Sequence, residues 1–549
     1  MKIPAKPEDQ YTFYVDLMKK CNASRLERIK TYSLWRSFFL FGGGPDVTDH
    51  TVNKLGPHVD HLSSLMYSSE TTRFSIDLAP SVSDLHKTQV PPLVRAINEQ
   101  WHLSNADIVF GMALLWSFVY GSTFLKLRVN QGEIEGYVVE PHDFGVLRED
   151  VHGLAAQEAF CHSFYVTKSQ LKYDLGAIPH PRAAEILKEV IAVPRSSGHD
   201  DATVMDRIVT SASSPTMIGN VNFDLTGPNK YKPKSSDDLL QMYELYVWDD
   251  ELKDYRIVTI AEPGVVIFDR PVAAVFIKGE VPFVQVCPNP AYDYFWGYSE
   301  VDKLMPLQRM RNERLEQIRH MLNLQANPPK FGSGFQGTID EIADTLDSPS
   351  GVVTADMPGA KLENLSPTIP EDLYKEIREI DAQMEDVSGI NNVMQGKGEA
   401  GVRSQSHAAN LARLGSTRAK KRALIVEDQL EKVAHLFLQL VQAYKADSLR
   451  DEKGVEFVPD QFTKHYYVKV DAHSNSPIFI EDQRALAFDL LKVAAIDRDS
   501  LLDLLDVPMK ELLKERLKKI LAAEQQKQQA EQAAMAQGEK VKHAPKGGK

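Results

Sequence analysis

The sequence predicts an α+β fold, drawn out into an elongated subunit in which a mixed body gives way to long paired helices. Three observations predict it. Strand-like alternation lies between helical patterns in the N-terminal half of the chain. Two helical segments, Ser299 to about Gln325 and Thr368 to about Val387, bracket a stretch broken by Pro and Gly. A glycine-rich loop, Gly389 to Gly401, then leads into a helical pattern of roughly 40 residues. This plan is unusual for an enzyme and suits a subunit that lines or builds something elongated.

Residues 8–35 read as helix, with Tyr11, Tyr14, Val15 and Met18 on one stripe. A second helix within Val52 to Met66 leads to a strand, Arg73 to Leu78. Pro91 to Phe124 is helical, with Trp101, Phe110, Leu114, Leu115 and Phe118 as core candidates. The period then changes: Ser122–Val129 and Glu133–Val139 alternate like paired strands around the turn signal Asn130-Gln131-Gly132. Thr167 is placed to cap a helix over Lys168–Leu175. Residues 195–237, rich in Ser, Asp, Asn, Pro and Gly, read as a long surface loop with a short helix or strand inside. Strands resume at Leu239–Val247, Tyr255–Ile260, Val265–Phe268 and Pro282–Cys287.

Ser299, three residues before Asp302, resembles a capping arrangement for the first long helix, which carries Val301, Leu304, Met305, Leu315, Ile318 and Leu322. Pro306 kinks this helix or marks its true start. At 1.5 Å per residue the two helices are rods of about 37 and 30 Å. In the second, Leu373, Ile377, Ile380, Met384 and Val387 follow the alternating four- and three-residue steps of a seam that packs along another helix. Arg309, Arg311, Arg314 and Arg319 on the first face Glu371, Asp372, Glu376, Glu379, Asp381, Glu385 and Asp386 on the second, so the two can pair within the hairpin or between neighbouring subunits. The excursion between them has strand-like pieces, Gly351–Thr354 and Leu362–Leu365, around a short helix, Ile339–Leu346. Beyond the loop, Ser404–Lys445 is helical. A strand, Tyr466–Val470, and helices near 481–496, 498–505 and Met509–Leu521 complete the pattern, and Gly538 onward reads as a disordered basic tail.

The formal net charge is −13, which argues against general nucleic-acid affinity through bulk charge, although an acidic subunit can still let DNA slide without sticking. Cys21, Cys161 and Cys287 are too far apart in sequence for a disulfide framework or a cysteine zinc site. The N-terminus lacks the apolar core of a signal peptide, and the longest apolar run, Ile108 to Tyr120, is too short for a bilayer and reads as a buried helix. No membrane role is expected. The glycines at 389 and 396 are too far apart for a phosphate-binding loop, and Lys397 is followed by Gly398 rather than Ser or Thr. His58 and His61 lack a third metal ligand nearby, His199-Asp200-Asp201 is a solvated run, and Gly-x-Ser-x-Gly does not occur. No enzyme activity, metal or cofactor is expected.

Several stretches resemble the portal (head-to-tail connector) proteins of tailed bacteriophages. They are Tyr120-Gly121-Ser122-Thr123-Phe124-Leu125-Lys126-Leu127 followed by Val138-Val139-Glu140-Pro141-His142-Asp143, and Gly297-Tyr298-Ser299 leading into Leu307-Gln308-Arg309-Met310-Arg311-Asn312. Asn327-Pro328-Pro329 and Val387-Ser388-Gly389-Ile390 complete the likeness, which spans about 50 to 500; the order and spacing of short motifs carry it.

The resemblance implies a ring, with twelve copies in the family, and a division into named parts. These are a wing over 1–298, a first stem helix over 299–329, a clip over 330–367 and a second stem helix over 368–388. A tunnel loop over 389–404, a long wing helix with wing strands over 405–480 and a crown with flexible tail over 481–549 follow. It further implies location at the capsid portal vertex of the virion, with the host cytoplasm as the place of assembly. The implied partners are double-stranded DNA passing without sequence specificity, terminase, head-completion or tail adaptor proteins, capsid and scaffold. In the tunnel loop, Lys397 and Arg403 supply charge, Asn391, Asn392 and Gln395 supply hydrogen-bonding groups, and the glycines supply mobility. The rival reading is a helical scaffold or adaptor with no DNA channel.

Overall fold

Apolar residues at one-turn spacing and alternating β-branched and aromatic runs assign most of the elements. In the computed structural model, the described residues are 1–44, 51–68, 72–78, 90–130, 132–177, 182–192, 239–261, 264–326, 328, 330–333, 358–359, 361–364, 368–389, 417–444 and 466–470, with isolated positions at 338, 340, 342 and within 487–519. The chain divides into two units, Met1–Asn475 and Ser476–Lys549; in the second, residues 487–492 are helical.

The first unit opens with helix α1, Pro7–Phe41, which ends at Gly42 in the left-handed region. It is longer than its apolar stripe predicts. Tyr14 and Met18 are buried, but Tyr11 is 42% exposed. Helices α2 (Leu55–Met66), α3 (Val90–Leu103) and α4 (Ala106–Tyr120) follow, with strand β1 (Phe74–Leu78) between the first two. The continuous helical pattern expected over 91–124 is two helices bent by 68°. Asn105 sits between them at φ 51°, a left-handed conformation that Asn tolerates better than most residues. Among the described residues no single helix is long and apolar enough to cross a membrane.

Strands β2 (Thr123–Asn130) and β3 (Glu133–Val139) form the predicted hairpin, with Gly132 at φ 83° in the turn, and β9 (Phe283–Val286) joins β2 to complete a three-stranded antiparallel sheet. A five-stranded antiparallel meander runs β4 (Phe144–Val146), β5 (Ala159–Thr167), β6 (Leu239–Asp249), β7 (Asp254–Ala261) and β8 (Val265–Pro271). The first two strands carry no clear alternation because Ala159 to Ser163 are buried without a break. Helix α5 (Lys168–Ala177) begins as expected, with the Gln170 amide donating to Thr167 Oγ1 at 3.1 Å. Helix α6 (Ala183–Ala192) packs Ile186 and Val190 against Leu171, Leu175 and Ile267.

Helix α7 spans Glu300–Ala326, and Ser299 Oγ accepts from the Asp302 amide at 3.2 Å, so Pro306 lies inside the helix, not at its start. Strands β10 (Lys330–Ser333) and β11 (Lys361–Asn364) pair antiparallel beyond it. Helix α8 (Glu371–Ser388) returns along α7 and stops at Gly389, φ 75°. Helix α9 (Thr417–Tyr444) follows, and β12 (Tyr466–Val470) pairs antiparallel with β1. The expected elements at 195–237, 339–346, 351–354 and 404–416 lie wholly or largely outside the described residues.

The two sheets meet over an aromatic core. Phe124 stacks on Phe144 at 3.8 Å, Phe160 stacks on Tyr246 at 4.8 Å, and Phe283 sits edge-on to Phe144, Phe160 and Tyr246. Lys126 enters this core from β2 and is held by Glu244 Oε2 at 2.5 Å, which also accepts from the Tyr246 hydroxyl at 3.1 Å. His162 Nδ1 lies 3.4 Å from the ammonium. Burial, aided by Lys126, pushes the His162 pKa down from 6.5 to about 4. A histidine held neutral in the fold protonates more readily once unfolded. Its contribution is therefore complete above pH 6.5 and is lost as pH falls towards 4. From pH 7 to 5 this group removes about 2 kcal/mol of unfolding free energy. Denaturant melts of His162→Gln should show a shallower acid dependence over that window than the parent; identical slopes would rule the histidine out as the cause.

Candidate stem hairpin and its anchorage

The stretches around Gly121, Glu140 and Gly297 converge on one junction at the base of α7. Gly121 (φ 90°) and Gly297 (φ 68°) bring two loops into backbone contact. A Cβ on Gly121 would stand 2.8 Å from the Trp296 carbonyl oxygen, and one on Gly297 would stand 2.8 Å from that of Asn289, so both positions require glycine. Ser122 Oγ donates to the Trp296 carbonyl at 2.7 Å, and Ser299 Oγ donates to that of Val119 at 2.5 Å. Glu140, also buried, contacts His142 Nδ1 at 3.0 Å, the Tyr120 hydroxyl at 3.4 Å and Arg36 at 3.7 Å. His142 is held below the ordinary histidine range chiefly by burial. Arg25 of α1 donates to the His142 carbonyl at 2.8 Å.

At the first turn of α7, Glu300 is 1% exposed, and its Oε1 accepts from Asn289 Nδ2, Lys303 Nζ and Arg422 of α9, each at 2.8 Å. Gln429, also on α9, makes a two-way contact with the Cys287 backbone: Nε2 donates to its carbonyl at 2.6 Å and Oε1 accepts its amide at 2.9 Å. Two turns into α7, Gln308 is fully buried. Its Oε1 accepts the Lys54 and Leu55 amides, capping α2, and its Nε2 donates to the Val52 carbonyl and to Asn312 Oδ1. Asn312 Nδ2 donates to the Gly42 carbonyl at 2.7 Å. These side chains tie the ends of α1 and α2 to α7.

Along the hairpin, Arg311 meets Asp381 at 2.8 Å and Arg314 meets Glu376 at 2.9 Å. Within one chain, the basic face of α7 thus pairs with acidic residues of α8. Ile380 and Met384 are buried in the seam, while Leu373 and Ile377 are half-buried. Val387 is 40% exposed and Ser388 is buried in its place. The seam shifts by one residue at its end, because the chain turns there into the left-handed Gly389. Asn391, Asn392, Gln395, Lys397 and Arg403 lie outside the described residues.

The sequence reading missed the anchors Glu300, Gln308, Arg422 and Gln429. A signal for Gln308 was present: with Arg311 it continues the buried stripe of Val301, Leu304 and Ile318, and a polar residue on such a stripe needs a partner. No chemistry of other kinds gathers here. Among the described residues no three His, Cys, Asp or Glu side chains form a metal-binding group. All three cysteines are buried free thiols, with burial pushing Cys287 up to about 11.

The sequence model of the family described as phage SU10 portal protein matches residues 116–474, from the end of α4 through α7, α8 and α9 to β12. The chain belongs to this portal protein family. Its α+β fold is of the portal type, and its role is that of a portal or connector in a phage particle. No curated protein matches the chain. A similar solved structure is a chain from the neck of an empty GTA particle computed with C6 symmetry. It has 9% sequence identity and a TM-score of 0.38, covering 83% of this chain and 90% of that one.

The portal hairpin is held at its base by neutral hydrogen bonds as much as by ion pairs. Gln308→Leu strands two amides, a carbonyl and a side-chain partner in a buried site and should cost about 3 kcal/mol, at 1–3 kcal/mol per buried unsatisfied group with partial relaxation. Thermal melts of the purified chain check this; an unchanged midpoint would mean that the anchorage does not hold α7.

Proposed function

We propose that copies of this portal protein, twelve by the family resemblance, close into a ring at one capsid vertex, around the channel through which double-stranded DNA is packaged and ejected. The body over 1–298, with 405–480, forms the wing, and α7 and α8 form the stem. Residues 330–367 form the clip that docks terminase and later the head-completion and tail proteins. Residues 389–404 form the tunnel loop, and 481–549 the crown. The observation that carries this reading is the ion-paired α7–α8 hairpin projecting from a buried polar base, inside a portal-family match that spans both helices.

The charge balance supports a channel that does not grip. Each copy contributes a formal −13, which opposes tight phosphate binding by the ring as a whole. Lys397 and Arg403, with Asn391, Asn392 and Gln395, supply the few weak contacts without base readout. The mass of the purified chain in solution, with images of the particle, tests the ring. A particle of about twelve 61.7 kDa subunits with an axial hole is expected, whereas a small, unpierced oligomer at all concentrations favours the adaptor reading. Lys397→Ala with Arg403→Ala should leave ring mass unchanged and lower the DNA retained per particle. Normal packaging and retention would reduce the loop to a connector.

A further inference from the structure

Midway along the hairpin the exposed charges are the reverse of the inner ones: Glu313 and Glu316 on α7, Lys375 and Arg378 on α8. Arg309, Glu313, Glu316 and His320 form an exposed stripe on α7 at steps of four, three and four. Glu371, Lys375, Arg378 and Ala382 form an exposed stripe on α8 at the same steps. The inner ion pairs, Arg311 to Asp381 and Arg314 to Glu376, fix the relative height of the two antiparallel helices. One residue up α7 is level with one residue down α8. Glu313 is therefore level with Arg378, Glu316 with Lys375, and His320 with Glu371. Arg309 is level with Ala382, one turn from both Glu379 and Asp386. Within a chain these stripes point away from each other and do not meet.

We propose that they meet between copies: the outer stripe of α7 in one portal subunit docks on the outer stripe of α8 in the next. The proposal rests on the ring reading. Rotation about a ring axis leaves every residue at its own height along that axis, so hairpins standing along it present Glu313 to the next copy's Arg378 and Glu316 to its Lys375. Opposite charges then face each other at these two levels, with no shift in register. Among the described residues neither Glu313, Glu316 nor Arg378 has an ion pair within its own chain, and Lys375 holds only an exposed contact with Asp372 at 2.9 Å. Each α7 is thus clasped by two α8 helices. Arg311 and Arg314 take its own, and Glu313 and Glu316 take the neighbour's.

Two measurements on the full chain test the seam. Glu313→Lys with Glu316→Lys, and separately Lys375→Glu with Arg378→Glu, should raise the concentration at which rings half-form on the order of tenfold, while all four together restore it. Because all four positions are exposed, melts of the variants should match the parent. Glu313→Cys with Arg378→Cys should give a ladder of covalent oligomers when oxidised rings are run without reductant, since the native cysteines are buried. Wild-type rings with either double variant assembling at the parent concentration, or oxidised rings giving no ladder, overturn the seam and leave the ring standing. A wild-type chain that forms no ring under any condition overturns the ring reading, and the seam with it.

Discussion

A carboxylate taken out of water costs several kcal/mol unless cations and donors surround it. Glu300 is such a group, at the one place where the body becomes the hairpin. Three donors from three segments converge on its Oε1: Asn289 before the helix, Lys303 within it and Arg422 from α9. Moving any one of these segments alone removes a donor from this buried oxygen, and moving α9 removes the Arg422 charge. The glycine contact at 121 and 297 and the Ser299 bond to Val119 fix the same point from the other side. The direction in which α7 leaves the body follows from this junction, and the position of everything carried on α7 follows from that direction.

Further along, α7 is braced by a different kind of contact. Gln308 and Asn312 do not carry charge; they satisfy amides and carbonyls at the ends of α1 and α2 that a helix terminus otherwise leaves open. Hydrogen bonds of this kind fix geometry closely and are screened little by salt. Arg311 lies among them, buried, and donates both to the Val52 carbonyl and to Asp381; the Arg314–Glu376 pair lies beyond, partly open to solvent, where it selects register more than it adds stability. The hairpin is therefore stiff at its base and set in register farther out, an order suited to a rod anchored at one end.

Much of this was legible in the sequence, and what was not has physical causes. Helix α8, its buried Ile380 and Met384, and the opposed charges of α7 and α8 followed from spacing alone. The hairpin at 123–139 and the cap at Thr167 followed from turn and capping chemistry. Strand β5 did not, because a strand buried along successive residues loses the two-residue alternation that marks it. The break at Asn105 did not, because apolar periodicity continues across it while the backbone turns through a single left-handed residue. Pairing of β1 with β12, nearly 400 residues apart, has no local signature at all. Gln429 has none either, and Gln308 shows only its place on the buried stripe of α7, not its partners. Their side chains are ordinary, and only partners brought from distant segments make them essential.

The inverted charge pattern bears on how such a subunit avoids assembling wrongly. If α7 were basic all round and α8 acidic all round, a hairpin could close equally well on its own partner or on a neighbour's, in several registers. Here the inner faces pair arginine on α7 with acid on α8, while the outer stripes set Glu313 and Glu316 on α7 level with Arg378 and Lys375 on α8. Swapping an inner face for an outer one sets Arg311 and Arg314 opposite Lys375 and Arg378, and like charges at contact oppose that docking. Each exposed pair is weak, but in the proposed ring the same contact repeats at every interface, and one misplaced copy prevents closure. Small differences per contact then decide between a closed ring and an open chain.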